Sequence, residues 1–361
     1  MPSAPPSFGS QNYWNERFAT NSNPFEWLEA PTVLDPYLAD ALKESTNADP
    51  QLLHIGCGTS LLSYHLRAYV NQPSQVHNLD YSEVAIEIGR KREAEIFNTA
   101  LEGNTESRNG FLDKAGVKAN QAAIDSDENR QPVTGPSMAN DAAKSSHMKW
   151  SSVNLLDHNS LLEACAPSTY SVIVDKSTSD SIACSSDLYV PLPYHINTSS
   201  KHTFKSVLAE SSEPLHPLHI MAVHLALVTK PRARWVALSY SMDRYPFLHH
   251  PTSNYVEESS QPTRFSTTMI HATQQKNNTV GDVHDSDQDI GSHNDLDDIP
   301  QAVLDDGFPD PSALWKLVGK HSIEPPAAEE SSSEHGPIHR PKVLHWIYVL
   351  ERTDVPLAIR K

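Results

Sequence analysis

Apolar and polar positions along the chain fall into short apolar runs separated by amphipathic stretches. Leu52–Ile55 is a short apolar run that closes on Gly56-Cys57-Gly58. Over 60–71, Leu61, Leu62, His65, Leu66 and Tyr69 stand near helical spacing and predict a helix. A second strand is predicted at 76–79, ending at Asp80, and 83–97, with Val84, Ile86, Ile88 and Ile96 among charges, predicts another helix. Strands are predicted at 149–153, 170–174 and 234–240, with a long, mostly apolar helix over 215–229 between the last two. The final runs, 320–324 and 343–350, predict two more strands.

Strands alternating with helices imply parallel pairing through crossover helices. The last two strands have only a Pro- and Ser-rich loop between them, and strands joined in that way pair antiparallel. The expected fold is therefore α/β: a mostly parallel sheet with an antiparallel strand near its C-terminal edge and helices on both faces. A dinucleotide dehydrogenase sheet, which stays parallel to its edge, fits less well.

Three stretches break the pattern. Residues 102–146 are rich in Asn, Ser, Gly, Asp and Ala, 251–307 in Ser, Thr, Gln, His and Asp, and 325–341 in Pro, Ser and Glu. Such composition buries too little apolar surface to offset chain entropy. The expectation is a single domain over 1–361 carrying three low-complexity insertions.

Composition changes this reading in one respect. The chain has 361 residues, 45 acidic against 28 basic, a net charge of -17 and only 38% hydrophobic residues. That balance disfavours direct nucleic-acid binding, which needs clustered Lys and Arg, and leaves a basic protein partner open. The cysteines, Cys57, Cys165 and Cys184, form neither a disulfide framework nor a CxxC metal pair. No signal-like N-terminus and no run near the roughly 18 apolar residues of a membrane helix are seen. A cytoplasmic or nuclear protein without membrane association is expected, and no metal site.

In an open α/β sheet, ligands lie beyond the carboxyl ends of the strands. Gly56-Cys57-Gly58 is one such end, where glycines permit a tight turn and close approach of a ligand, although an ordinary strand-to-helix turn reads the same way. Asp80 ends the second strand, where a carboxylate can accept from ribose hydroxyls. Its alternative is a helix N-cap, a role better suited to Ser82. Asn154-Leu155, after the third strand, can read an adenine edge or simply make a turn. Asp175-Lys176-Ser177-Thr178-Ser179-Asp180 follows the fourth strand, either beside the reactive end of a ligand or as a polar loop with Asp180 as a cap. The sequence GCGTSLL lacks the third glycine of a GxGxxG fingerprint, and no P-loop pattern occurs.

Together, YWNERF, FEWL, LLHIGCGTSLLS, VHNLDYS, MKWSSVNLLD and VIVDKSTSDSI resemble, in order and spacing, the methyltransferase-like family that includes lysine methyltransferases of translation elongation factor 1-alpha. The resemblance covers roughly 12–100 and 148–186 well and continues loosely beyond. It implies a Rossmann-like, seven-stranded methyltransferase sheet and S-adenosylmethionine as cofactor. Cofactor contact is carried onto Trp14, Phe18, Gly56, Cys57, Gly58, Asp80, Tyr81, Asn154, Leu155 and Lys176, with the N-terminal aromatics as a lid or as core packing. Asp175 and Lys176 take the catalytic end, Asp175 as part of an acidic pocket for a substrate ammonium. The implied substrate is a protein lysine, such as one of an elongation factor. A cofactor-binding module without strong activity and a small-molecule methyltransferase are the alternatives. Asn154, Ser177 and Ser179 depart from the family's usual Asp, Gly and Leu.

Overall fold

The structure is a computed structural model, and it describes residues 6–44, 49–98, 147–198, 209–248, 299–325 and 343–360. Its centre is a seven-stranded sheet. The strands are β1 (Leu52–Ile55), β2 (Val76–Asp80), β3 (Lys149–Ser152), β4 (Tyr170–Lys176), β5 (Thr229–Ser239), β6 (Trp315–Ile323) and β7 (His345–Arg352). In space they run β3-β2-β1-β4-β5-β7-β6. The first five pair in parallel, and β7 lies antiparallel between β5 and β6. Seven strands, mostly parallel and with an antiparallel strand near the C-terminal edge, are the sheet expected from the sequence. β6 and β7, consecutive strands in the described chain, pair antiparallel, as the sequence predicts for its last two strands.

β1, β2 and β4 are buried along their whole length, as expected for parallel strands covered on both faces. The strand residues divide between two apolar clusters. Val172 and Val174 of β4 and Val236 and Leu238 of β5 face one cluster, with Leu38 of helix α2 (Asp35–Glu44), Leu62 of α3 (Leu62–Leu66) and Ile86 of α4 (Glu83–Asn98). Ile173, Trp235 and Ala237 face the other, with Leu161 of α5 (His158–Ala164) and most of α7 (Pro217–Val228). The period of two along each strand therefore divides the helices between the two faces. Every residue of α7 is buried, consistent with a helix that is apolar all round.

Two local contacts lock helices to the sheet. Helix α4 lies so close to β3 that a Cβ on Gly89 would come within 2.3 Å of the Trp150 ring. Glu93, one turn on, accepts from the Trp150 indole N–H at 2.8 Å and from the Met148 backbone N–H at 2.7 Å. At the N-terminus, α1 (Gln11–Thr20) is held to the start of α4, where the Ser82 hydroxyl donates to Asn15 at 2.6 Å. Ser82 also accepts from Ala85 N–H at 3.3 Å, so the cap at this helix is Ser82, as expected.

Several boundaries differ from the expectation. The helix predicted over 60–71 is α only over Leu62–Leu66 and then tightens to a 3-10 turn. β5 begins at Thr229 instead of 234, because α7 runs directly into it. Residues 299–307, placed within an insertion by composition, are folded: Gln301–Asp305 is a short helix, α8, whose Val303 is fully buried. The acidic neighbours hid those few apolar residues. The rest of the predicted insertions, at 102–146, 251–298 and 326–341, lies outside the described residues. No helix among the described residues is long and apolar enough to cross a membrane.

Candidate functional site

The carboxyl ends of β1, β2, β3 and β4 open into one cavity of about 990 Å³, counting the space at its mouth. All ten residues assigned to a cofactor line it: Trp14, Phe18, Gly56, Cys57, Gly58, Asp80, Tyr81, Asn154, Leu155 and Lys176. Asp175 does not.

The floor is the turn after β1. Gly56 and Gly58 both have left-handed backbone, at φ +58° and +49°, a conformation that costs a residue with a Cβ about 1–2 kcal/mol. Gly56 also has no room: a Cβ would stand 2.1 Å from the Thr178 hydroxyl. Between them, Cys57 is buried, and burial pushes its thiol well above the ordinary range.

Asp80 is tied into this turn. One carboxylate oxygen accepts from Gly58 N–H at 2.7 Å and the other from Ser82 N–H at 2.8 Å. Each oxygen keeps a further lone pair for a ligand hydroxyl. Burial raises the acid to about 6, against the lowering effect of these backbone N–H groups.

At the end of β3, the Asn154 side-chain oxygen accepts from Leu156 N–H at 3.0 Å, and the Asn154 backbone N–H donates to the Ser160 hydroxyl at 3.0 Å. Asn154 therefore both makes a turn and faces the cavity. The Leu155 carbonyl is held by His224 at 2.8 Å, and His224 also contacts the Tyr194 hydroxyl at 2.7 Å. His224, like His219 on the same helix, is a buried packing residue.

At the end of β4 the side chains part. Lys176 enters the cavity and Asp175 turns beneath the first turn of α6 (Thr178–Ile182). The Asp175 carboxylate accepts from Thr178 N–H at 2.9 Å, from Ser179 N–H at 3.3 Å, from the Ser179 hydroxyl and from the Tyr245 hydroxyl at 3.4 Å. It is fully buried, which raises its acid to about 6. The contact between Asp175 and a substrate ammonium expected from the sequence is not what this arrangement offers: the N–H groups at the start of α6 hold the carboxylate away from the cavity. Asp180 is no cap either; it ties α6 to β5 through the Ser239 hydroxyl at 2.5 Å and to Arg244 at 2.7 Å.

The departures from the family pattern acquire a structural account. Ser177 has φ +66° and ψ 11°, the left-handed turn that a glycine would adopt, so the serine leaves the loop path intact. Ser179 supplies the hydroxyl that links Asp175 to Tyr245.

The roof is aromatic. Trp14 stacks on Phe18 at 5.6 Å, and Phe8, Phe25 and Trp27 complete the covering. The Trp14 indole N–H donates to the Phe8 carbonyl at 2.7 Å, and the Ser181 hydroxyl of α6 donates to the same carbonyl at 2.9 Å. Phe8, Phe25 and Trp27 were not assigned from the sequence; the FEWL segment was the signal that could have found the last two. Glu26, in the same segment, lies behind the roof and bonds to Ser60, Leu61 and Lys176.

A seven-stranded α/β sheet with a glycine turn, an acidic second-strand end and one shared cavity defines the class of protein at the level of fold. No protein-family model matches the chain. Over 94 residues it is 38% identical to "Methyltransferase srdJ" of Neurospora crassa, covering 26% of this chain and 38% of that protein. The chain thus spans well under half the length of that curated relative. Among solved structures, an S-adenosylmethionine-dependent methyltransferase from Anabaena variabilis is similar with a TM-score of 0.37 and 10% identity, over 97% of this chain and 96% of that one. A magnesium protoporphyrin IX methyltransferase from Synechocystis, with bound S-adenosylmethionine, gives a TM-score of 0.36 and 8% identity over 98% and 100%.

Proposed function

We propose that the chain is an S-adenosylmethionine-dependent methyltransferase. The observation that carries this reading is the Asp80 carboxylate, which opens into the same cavity as the left-handed Gly56-Cys57-Gly58 turn. The cavity residues fit the cofactor's chemistry. Asp80 retains acceptor capacity for ribose hydroxyls, Asn154 and Leu155 stand where an adenine edge is read, and Trp14, Phe18 and Lys176 surround the other end. When bound, the cofactor supplies an activated methyl group for in-line displacement. The protein's part is alignment, exclusion of water and electrostatics.

The lining bears on the acceptor. A lysine amine, at a pKa of about 10.4 in water, calls for a carboxylate to receive its ammonium form. In this reading Asp80 is taken by the ribose hydroxyls, Glu26 is paired with Lys176 and Asp175 is bound to α6. Phe8, Phe25, Trp27 and Ile182 give the rest of the lining an apolar character. This supports a small, uncharged, largely apolar acceptor over the protein lysine, such as one of an elongation factor, that the sequence resemblance implies.

Calorimetry with S-adenosylmethionine tests the cofactor: micromolar binding is expected, and no heat at high micromolar ligand overturns the reading. Transfer of a tritiated methyl group, compared between a protein extract and a small-molecule extract, tests the acceptor. Label in the small-molecule fraction is expected; label confined to protein returns the lysine reading.

A further inference from the structure

Glu26 belongs to the FEWL motif, and binding of a methyl donor by the cavity residues gives it no task. Its carboxylate reaches from the loop after α1 to both sides of the cavity. One oxygen accepts from Leu61 N–H at 2.6 Å. The other accepts from the Ser60 hydroxyl at 2.7 Å and from the Lys176 ammonium at 2.6 Å. The Lys176 side chain is 4% exposed and that of Glu26 24%. A single carboxylate thus joins the N-terminal roof, the segment behind the glycine turn and the end of β4.

Lys176 is the one lysine or arginine that lines this cavity among the described residues. Alone, a buried ammonium would oppose any second cation brought into the same water-poor space. A sulfonium methyl donor is such a cation, and the thioether left after transfer is not. Glu26 cancels the charge from behind, without entering the cavity itself. Its neighbours Phe25 and Trp27 are held over the same region, with Arg17 stacked on both at 4.8 and 5.5 Å.

Resting on the methyl-donor reading, we infer that Glu26 is a positioning residue: by pairing Lys176, it makes the reactive end of the cavity tolerant of a cationic cofactor while fastening the aromatic roof. Charge removal at Glu26 should therefore penalise S-adenosylmethionine more than S-adenosylhomocysteine. A purely structural role would penalise both alike.

The test measures the affinity of both compounds by calorimetry for the full chain, Glu26→Gln, Lys176→Met and the double variant, with thermal unfolding as a check on folding. Glu26→Gln is expected to weaken S-adenosylmethionine about tenfold more than S-adenosylhomocysteine, and the double variant to return the ratio to within about threefold of the starting protein. Equal losses, an unchanged ratio, or a shifted ratio that persists in the double variant overturns the inference. Should Glu26→Gln not fold, Lys176→Met provides the opposite arm. It leaves an unpaired carboxylate, so the ratio should move in favour of the sulfonium, and no movement counts against the role. If the unaltered chain binds neither compound, the methyl-donor reading and this inference fail together. If it binds both and the ratio stays fixed across the variants, this inference alone fails.

Discussion

The ends of β2 and β4 make an instructive pair. Each ends near a buried aspartate, Asp80 and Asp175, whose acid is raised to about 6 by burial. Each carboxylate accepts two backbone N–H groups. Asp80 takes no side-chain hydroxyl among the described residues and lines the cavity. Asp175 takes two hydroxyls in addition, from Ser179 and Tyr245, and is shut beneath α6. Position at a strand end therefore brings a carboxylate to the ligand side of the sheet, but the number of internal donors decides whether any of it is left for a ligand.

The most direct way to break this comparison is to make one substitution at both ends. Asp80→Asn should weaken S-adenosylmethionine by about 10- to 100-fold, the range for losing hydrogen bonds to a charged acceptor, roughly 1.5–3 kcal/mol. Asp175→Asn should leave affinity within about threefold and instead lower unfolding free energy by about 1 kcal/mol. Calorimetry and urea unfolding read the two effects, and equal affinity losses would erase the distinction.

Gly56 probes the strand between them. Gly56→Ala should cost about 2 kcal/mol of stability, from the left-handed backbone and from displacing Thr178, whose hydroxyl donates to the Ile55 carbonyl at 2.9 Å. Adding Thr178→Ala should recover part of the loss in urea unfolding. No recovery would mean that backbone strain, and not crowding at the β4 end, dominates.

Acidity sharpens the comparison further. Asp80 is ionised above about pH 6 and protonated below it. Cofactor affinity should therefore hold above that pH and fall by about tenfold between pH 7 and pH 5 as the acceptor charge is lost. The same titration on Asp80→Asn should be flat, and a slope that persists would point to another group. The smallest effect is at Ser177. Ser177→Gly relieves left-handed strain but gives the unfolded chain more freedom, so a gain of only about 0.5 kcal/mol is expected, a rise in Tm of about 1–2 °C.

The sequence was most legible where structure is local. Leu52–Ile55 and the strand closing at Asp80 could be read almost residue by residue, because apolar residues bound each strand although His54, His77 and Asn78 lie buried within them. Helix α2 was not readable: only Leu38 and Ala41 of its ten residues are buried, too few to set a period. Gly56, Cys57, Gly58, Asp80, Tyr81, Asn154, Leu155 and Lys176 were legible as a group because they lie at strand ends. Their directions were not. Whether Asp175 or Lys176 enters the cavity depends on where the first turn of α6 places its N–H groups. Glu26 was invisible for a different reason, since its partners lie 35 and 150 positions away in the chain.

The clasp between α4 and β3 has a consequence for how this chain tolerates change. After α4 the chain departs, and it returns at β3 with Met148 N–H and the Trp150 indole both fixed by Glu93. The start of β3 is thus fixed by α4 itself, through one carboxylate that holds Met148 and Trp150 together. The same clasp makes positions 89 and 150 partners in descent: a side chain at 89 can be gained only where the ring at 150 has been given up.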